Sequence, residues 1–156
     1  MKVAGIVKES FVDGDGVRFV VFLQGCPHHC EGCHNKATWD FDGGTEMSVD
    51  SVLASVEAHH ASFYEGITLS GGEPYMQQEA CIALVKRIKS LWKHWNVWCY
   101  TGYTYEEVKD EPLTKYVDVL VDGRFEIEKR DLLLRFRGST NQRLLYLYDG
   151  RVWKVE

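Results

Sequence analysis

One segment organises this sequence, and it reads Gly25-Cys26-Pro27-His28-His29-Cys30-Glu31-Gly32-Cys33-His34-Asn35. Its three cysteines fall within eight residues, so a single loop can direct three thiols to one centre. No fourth cysteine lies nearby. A closed structural zinc site normally uses four protein ligands, whereas a 4Fe-4S cube held by three thiolates leaves one iron open to another molecule. The spacing therefore favours a 4Fe-4S cluster, one per chain, on Cys26, Cys30 and Cys33.

Two alternatives for this loop remain open on spacing alone. One histidine of the segment, His28, His29 or His34, completes a zinc knot in the first alternative. In the second, two of the cysteines form a disulfide. The second is weak, because the chain has five cysteines, an odd number, and shows no recognisable signal peptide. We therefore expect a reducing, cytoplasmic setting.

The composition predicts a single domain over residues 1–156. The chain is 45% hydrophobic over 156 residues, which is enough for a substantial core. No apolar run approaches the roughly 20 residues that span a bilayer, so we expect no membrane association. With 18 basic and 23 acidic residues the formal charge is -5, which disfavours sequence-independent binding to nucleic acid.

The hydrophobic pattern alternates between strands and helices. Short apolar runs predict four buried strands at Arg18–Leu23, Gly66–Leu69, Val97–Tyr100 and Tyr116–Val121. Apolar residues at helical spacing predict one helix capped by Ser48 and a second from about Met76, and Thr104 is the predicted cap of a short third helix at Tyr105–Lys109. Asp149-Gly150 joins two final runs, Leu144–Tyr148 and Arg151–Val155, in a predicted β-hairpin. The repeated units indicate an α/β fold with a mainly parallel sheet.

A second chemical segment follows the strand at Gly66–Leu69. It reads Ser70-Gly71-Gly72-Glu73-Pro74, and paired glycines allow backbone groups to approach a ligand closely. By itself, such a pair is more often an ordinary turn between a strand and a helix. Thr101 and Asp122 also follow predicted strands, where barrel enzymes place ligand-contacting loops.

The spacing of the cysteines, together with Gly-Gly-Glu-Pro one β-α unit later, resembles the radical S-adenosylmethionine enzymes. The resemblance implies that the amino and carboxylate groups of the methionine part of S-adenosylmethionine chelate the open iron. One position departs from the family pattern, because the residue before the third cysteine is commonly aromatic there and is Gly32 here. We predict that the residues that contact S-adenosylmethionine are Gly32, Cys33, His34, Ser70, Gly71, Gly72, Glu73, Thr101 and Asp122.

Several further segments narrow the resemblance to one subfamily. These segments are Asp13–Arg18, Gly25–Trp39, Ser70–Pro74, Asp118–Phe125 and Phe136–Arg143. Together they resemble the activating proteins of anaerobic, class III, ribonucleotide reductases. Activators of pyruvate formate-lyase share the cysteine motif but are usually larger, and they remain an alternative, as do a small-molecule radical enzyme and a non-catalytic zinc-binding module.

The resemblance implies a fold, a reaction and partners. The chain is too short for a complete eight-unit barrel, so the implied fold is a partial β/α barrel with a C-terminal hairpin. The implied reaction is reductive cleavage of S-adenosylmethionine to a radical that takes hydrogen from a glycine of the reductase. No protein acid or base is required, and none is assigned. The implied partners are the reductase large subunit and a small electron-donor protein of flavodoxin or ferredoxin type.

A basic strip precedes the final hairpin. Arg135, Arg137 and Arg143 lie among small polar residues in an otherwise acidic chain. One hypothesis is that Arg137 and Arg143 dock the reductase. The alternative is a polar connection with no binding role.

Overall fold

A computed structural model describes residues 1–156, and its centre is one sheet of eight strands. The strand order across the sheet is β3-β1-β2-β4-β5-β6-β7-β8. The strands, in chain order, are β1 (Lys2–Ser10), β2 (Val17–Leu23), β3 (Thr45–Glu46), β4 (Tyr64–Gly71), β5 (Asn96–Tyr100), β6 (Val119–Asp122), β7 (Arg143–Tyr148) and β8 (Arg151–Val155). The predicted strands at Arg18–Leu23, Gly66–Leu69 and Val97–Tyr100 and the C-terminal hairpin are therefore confirmed. The strand predicted at Tyr116–Val121 begins only at Val119, because Tyr116 ends a 3-10 turn that precedes it.

The sheet is mixed, which corrects the expectation of a mainly parallel sheet. Only β2, β4, β5 and β6 are joined in parallel, and antiparallel ladders flank them on both sides. In two of the four antiparallel pairs, β1 with β2 and β7 with β8, the reason lies in the connections. A turn of a few residues joins β1 to β2, and Asp149-Gly150 joins β7 to β8. Links as short as these permit only antiparallel pairing, because a parallel pair needs a long crossover.

Helices supply the crossovers between the parallel strands. They are α1 (Val49–His59), α2 (Gln78–Leu91) and α3 (Tyr105–Val108), with short 3-10 turns at Lys36–Thr38, Pro74–Gln77, Pro112–Tyr116 and Ile127–Lys129. Ser48 and Thr104 cap α1 and α3 through their side chains, as their sequence positions predicted. None of these helices is both long enough and apolar enough to cross a lipid bilayer.

The two faces of the sheet are covered differently. The helices bury one face, where a core of 24 residues includes Cys81 and Cys99. Neighbouring residues of each strand point to the opposite face of the sheet. On that face Trp98, Val121 and Leu144 form a smaller cluster, and Phe136 packs against it. Irregular loops rather than helices cover this second face. The carboxyl ends of the four parallel strands meet at one edge of the sheet, which is where ligands bind in open α/β sheets.

Candidate active site

A cavity lies at the carboxyl ends of the parallel strands. Segments that follow β2, β4, β5 and β6 all contribute to it, so residues far apart in the chain meet there. The lining residues include Cys26, Cys30, Cys33, His34, Asn35, Trp39, Ser70, Gly71, Gly72, Tyr100, Thr101, Gly102, Phe125 and Gln142. The two chemical segments predicted from the sequence are therefore brought together.

Backbone hydrogen bonds close the cysteine loop upon itself and upon the glycine segment. Gly25 donates to the Thr38 carbonyl at 2.6 Å, which ties the start of the loop to its end. The amide of Glu73 donates to the Gly25 carbonyl at 2.8 Å. The Gln24 side chain reaches across the base of the loop and donates to the Asp40 carbonyl at 2.7 Å. The loop is thus held by the protein's own backbone.

The three loop thiols differ from the other two cysteines. Cys26, Cys30 and Cys33 are free and partly exposed to the cavity, whereas Cys81 and Cys99 are fully buried in the core. Burial raises the pKa of the Cys26 and Cys30 thiols above their ordinary value. Only thiolates bind metal, so cluster binding here releases protons. The structure gathers no three His, Cys, Asp or Glu side chains in the arrangement that a single metal ion needs.

Glycine backbone lines the cavity together with the thiols. Gly71 has a φ of 95°, which side-chain-bearing residues rarely adopt. A Cβ at Gly72 would lie 2.4 Å from the Gly25 carbonyl oxygen, so no other residue fits there without moving the cysteine loop. The missing Cβ atoms let β2 and the cysteine loop pack directly against these two glycines, which brings the glycine segment beside the thiols.

The Glu73 carboxylate does not line the cavity. It is fully buried and surrounded by donors. Oε1 lies 2.7 Å from Nε2 of His28 and accepts from the Gly102 amide at 2.8 Å, while Oε2 accepts from the Tyr75 amide at 3.1 Å. The Thr101 hydroxyl donates to the same carboxylate at 2.8 Å. Glu73 therefore joins the cysteine loop to the end of β5.

Asp122 is also occupied by protein groups. It is 1% exposed and pairs with Arg143, with 2.5 Å between Oδ2 and Nη2. The Tyr105 amide donates to the same oxygen at 2.8 Å. Arg143 also binds Glu106, with 2.9 Å between nitrogen and oxygen. The hydrogen bond with Asp122 raises the pKa of Arg143 above its ordinary value. Arg143 is thereby engaged within the chain.

Gly32 stands behind the cavity rather than in its lining. Its φ is 74°, and a Cβ there would lie 2.7 Å from Cδ1 of Ile127 and 3.3 Å from Phe125. Phe125 itself lines the cavity, and its ring centroid lies 5.8 Å from that of His34. The segment after β6 thus places the aromatic ring of Phe125 beside Gly32, the position at which the family commonly has an aromatic residue.

Several lining residues were not singled out from the sequence. Tyr100 and Phe125 follow or end predicted strands at the active edge, and this position was the available signal. Trp39 also lines the cavity, and its ring stacks on that of His29 with 4.6 Å between the ring centroids. Gln142 lies in the long irregular connection between β6 and β7, and no local sequence pattern predicted that it would line the cavity.

Comparison with known proteins assigns the family. Residues 12–145 match the family model described as a 4Fe-4S single cluster domain. The anaerobic ribonucleoside-triphosphate reductase-activating protein of Enterobacteria phage T4 is 40% identical over 147 residues, which cover 93% of each chain. This chain belongs to the family of anaerobic ribonucleoside-triphosphate reductase-activating proteins.

Other activating proteins of this name show the same similarity over most of their length. That of Vibrio cholerae is 38% identical over 84% of this chain and 88% of its own, and that of Escherichia coli is 34% identical over 85% and 90%. Among solved structures, QueE from Escherichia coli matches with a TM-score of 0.50 and 18% identity, covering 66% of this chain and 53% of its own. This likeness concerns the fold alone.

The residues of the cavity fit the cluster that the family description names. Three free thiols border one cavity, and thiolate is the soft ligand that iron-sulfur clusters require. Ser70, Gly71 and Gly72 line the same cavity. Donor type and the open cavity therefore agree with an iron-sulfur cluster at this site.

Proposed function

We propose that this chain activates an anaerobic ribonucleoside-triphosphate reductase by generating a glycyl radical on it. One observation carries the proposal: three partly exposed thiols, with no fourth, border a cavity that glycine backbone also lines. The relatives that cover most of the chain are named as activating proteins of that reductase.

In this proposal Cys26, Cys30 and Cys33 hold the 4Fe-4S cluster. When reduced, the cluster supplies the electron that cleaves S-adenosylmethionine, and the resulting 5′-deoxyadenosyl radical takes hydrogen from a glycine of the reductase. The chain's own residues bind, orient and shield the cofactor.

S-adenosylmethionine is held, we propose, beside the open corner of the cluster. Cys33, His34, Ser70, Gly71, Gly72 and Thr101 border the available space. The direct contacts expected from Gly32, Glu73 and Asp122 stay predictions. None of these three lines the cavity, but Glu73 bonds to Thr101 and Gly32 lies beside Phe125, and both of those residues line it.

The remaining parts of the proposal concern setting and partners. The chain acts as one domain over residues 1–156, in the cytoplasm, with its sheet curved as a partial β/α barrel. It takes electrons from a flavodoxin or ferredoxin type protein, acts on the reductase large subunit, and binds neither nucleic acid nor membrane. The docking role of Arg137 stays a prediction, whereas Arg143 already has two carboxylate partners.

An activation assay tests this function. Reductase incubated anaerobically with the reconstituted, reduced chain and S-adenosylmethionine should gain the ability to reduce ribonucleoside triphosphates. Cys30→Ala removes a cluster ligand and should abolish activation. Cys81→Ala, which removes a buried thiol remote from the cavity, should leave it intact. Equal activation by the Cys30→Ala variant and the wild type would exclude the proposed cluster.

A further inference from the structure

A second concave surface opens beside the cavity. We call it the apolar groove and define it by Phe11, Val12, Tyr100, Leu132, Leu134 and Phe136, which lie among its lining residues. His34, Tyr100 and Gly138 line both the groove and the cavity. The groove is therefore a continuous path from the protein surface to the edge of the cofactor cavity.

The rims of the groove expose large apolar side chains. Phe11 and Val12 on one rim are 65% and 76% exposed, and Leu132 on the other is 80% exposed. The adjacent Leu133 is 93% exposed. Exposed apolar side chains concentrated beside a site mark a surface that is covered when a partner binds, because burying that area is favourable.

Hydrogen bonds hold both rims in place. The Ser10 hydroxyl donates to Asp13 at 2.6 Å and accepts from the Val12 amide at 3.3 Å, which fixes the first rim. On the second rim, the Asp131 amide donates to the Gly138 carbonyl at 3.1 Å, and Asp131 Oδ1 accepts from the Leu133 amide at 2.9 Å. The apolar side chains are thus presented by ordered turns, which lowers the entropy cost of binding.

The charges beside the groove are balanced. Arg130 and Arg137 line it together with Asp13 and Asp131. A surface for a strongly acidic protein or for a nucleotide would carry an excess of cations. Apolar rims with balanced charge instead fit an uncharged, extended polypeptide segment.

We propose that the apolar groove binds the peptide segment of the reductase that carries the target glycine. This inference rests on the proposed function, since hydrogen transfer requires that glycine to reach the cofactor cavity. A glycine-bearing segment laid along the groove passes Tyr100 and His34 and arrives where groove and cavity share their walls. Apolar side chains of the two rims contact apolar residues that flank the glycine.

The test uses a double variant, Val12→Ser with Leu132→Ser. Both side chains are largely exposed, so the fold should be retained, as circular dichroism and thermal unfolding can verify. The matched control is Leu91→Ser with Val155→Ser, which removes the same two residue types, 50% and 58% exposed, from the ends of α2 and β8. Dithionite serves as reductant, so that docking of an electron-donor protein does not enter the measurement.

We expect the groove variant to need about tenfold to hundredfold more reductase for half-maximal glycyl-radical yield, which corresponds to about 1.4–2.8 kcal/mol. Its formation of 5′-deoxyadenosine without reductase should equal that of the wild type. The control should match the wild type in both. Equal half-saturating concentrations for groove variant and control would overturn the proposal, as would a defect seen only when a protein donor replaces dithionite.

Failure of the proposed function gives a different pattern. A wild-type chain that cleaves S-adenosylmethionine but leaves no radical on the reductase would refute that function. Direct binding of reductase to the wild type and to the groove variant, measured by calorimetry, then decides the groove by itself. Equal affinity would exclude it as the docking surface, and weaker binding by the variant would support it.

Discussion

Replacing Glu73 tests how the cysteine loop is held. Glu73→Ala leaves two fixed backbone donors, the amides of Tyr75 and Gly102, without an acceptor. A buried unsatisfied donor costs about 1–3 kcal/mol, so these two amount to roughly 2–6 kcal/mol before the lost bonds of His28 and Thr101 are counted. We expect the apoprotein to lose about 4 kcal/mol of unfolding free energy, a large part of the stability of a domain this size.

Anaerobic urea unfolding of the apoprotein, followed by tryptophan fluorescence, measures this loss. Glu73→Gln provides a milder variant that folds even where the alanine variant does not. Its amide nitrogen replaces one oxygen and leaves one backbone donor unpaired, for an expected loss of about 1–3 kcal/mol. The matched control is Glu57→Ala on the exposed side of α1, which should change stability by less than about 0.5 kcal/mol.

Wild-type stability in Glu73→Ala would refute the reasoning. It would mean that the carboxylate is not satisfied by the loop and β5 in solution, and that it is free to bind a ligand. The sequence-based prediction of a direct cofactor contact from Glu73 would then be favoured over a structural role.

Three further predictions concern the surroundings of the site. Gly72→Ala should destabilise the apoprotein by more than about 2 kcal/mol in urea unfolding, because its Cβ would meet a backbone carbonyl of the cysteine loop at 2.4 Å. Gly5→Ala, whose Cβ would have nothing within 4 Å, should be near neutral, and equal effects of the two substitutions would contradict the tight contact. Arg143→Met should lower the free energy of unfolding by about 2–4 kcal/mol, because it leaves the buried Asp122 carboxylate without its cation. Adding Asp122→Asn should recover most of that loss in a double-mutant cycle, and additive losses would exclude the ion pair. Native apoprotein treated with iodoacetamide at pH 8 should be alkylated at the three loop cysteines only, since burial raises the pKa of the Cys81 thiol to about 12. Mass spectrometry that shows alkylated Cys81 without denaturant would contradict the burial of this thiol.

Much of the fold was predictable because local patterns decided it. Apolar runs at Arg18–Leu23 and Val97–Tyr100 became central strands, and the caps at Ser48 and Thr104 began helices as expected. Asp149-Gly150 formed the hairpin turn, with both residues at positive φ. The proportion of parallel pairing was not predictable, because the partners of the outer strands depend on connections rather than on strand composition.

The site was predictable where a short segment carries its own chemistry. The three loop cysteines and Gly71-Gly72 meet at one cavity, as their positions after neighbouring strands indicated. The orientation of Glu73 was not predictable, because it depends on donors from three separate segments. The same holds for Phe125, which fills the space beside Gly32 from a distant part of the chain.

The central claim is that this chain places a radical on a glycine of its partner. Electron paramagnetic resonance of reductase, frozen after anaerobic incubation with the reconstituted chain, dithionite and S-adenosylmethionine, tests it most directly. The account predicts a doublet from a glycyl radical that collapses to a singlet when the reductase glycine is deuterated at Cα. Formation of 5′-deoxyadenosine without any such signal would contradict it.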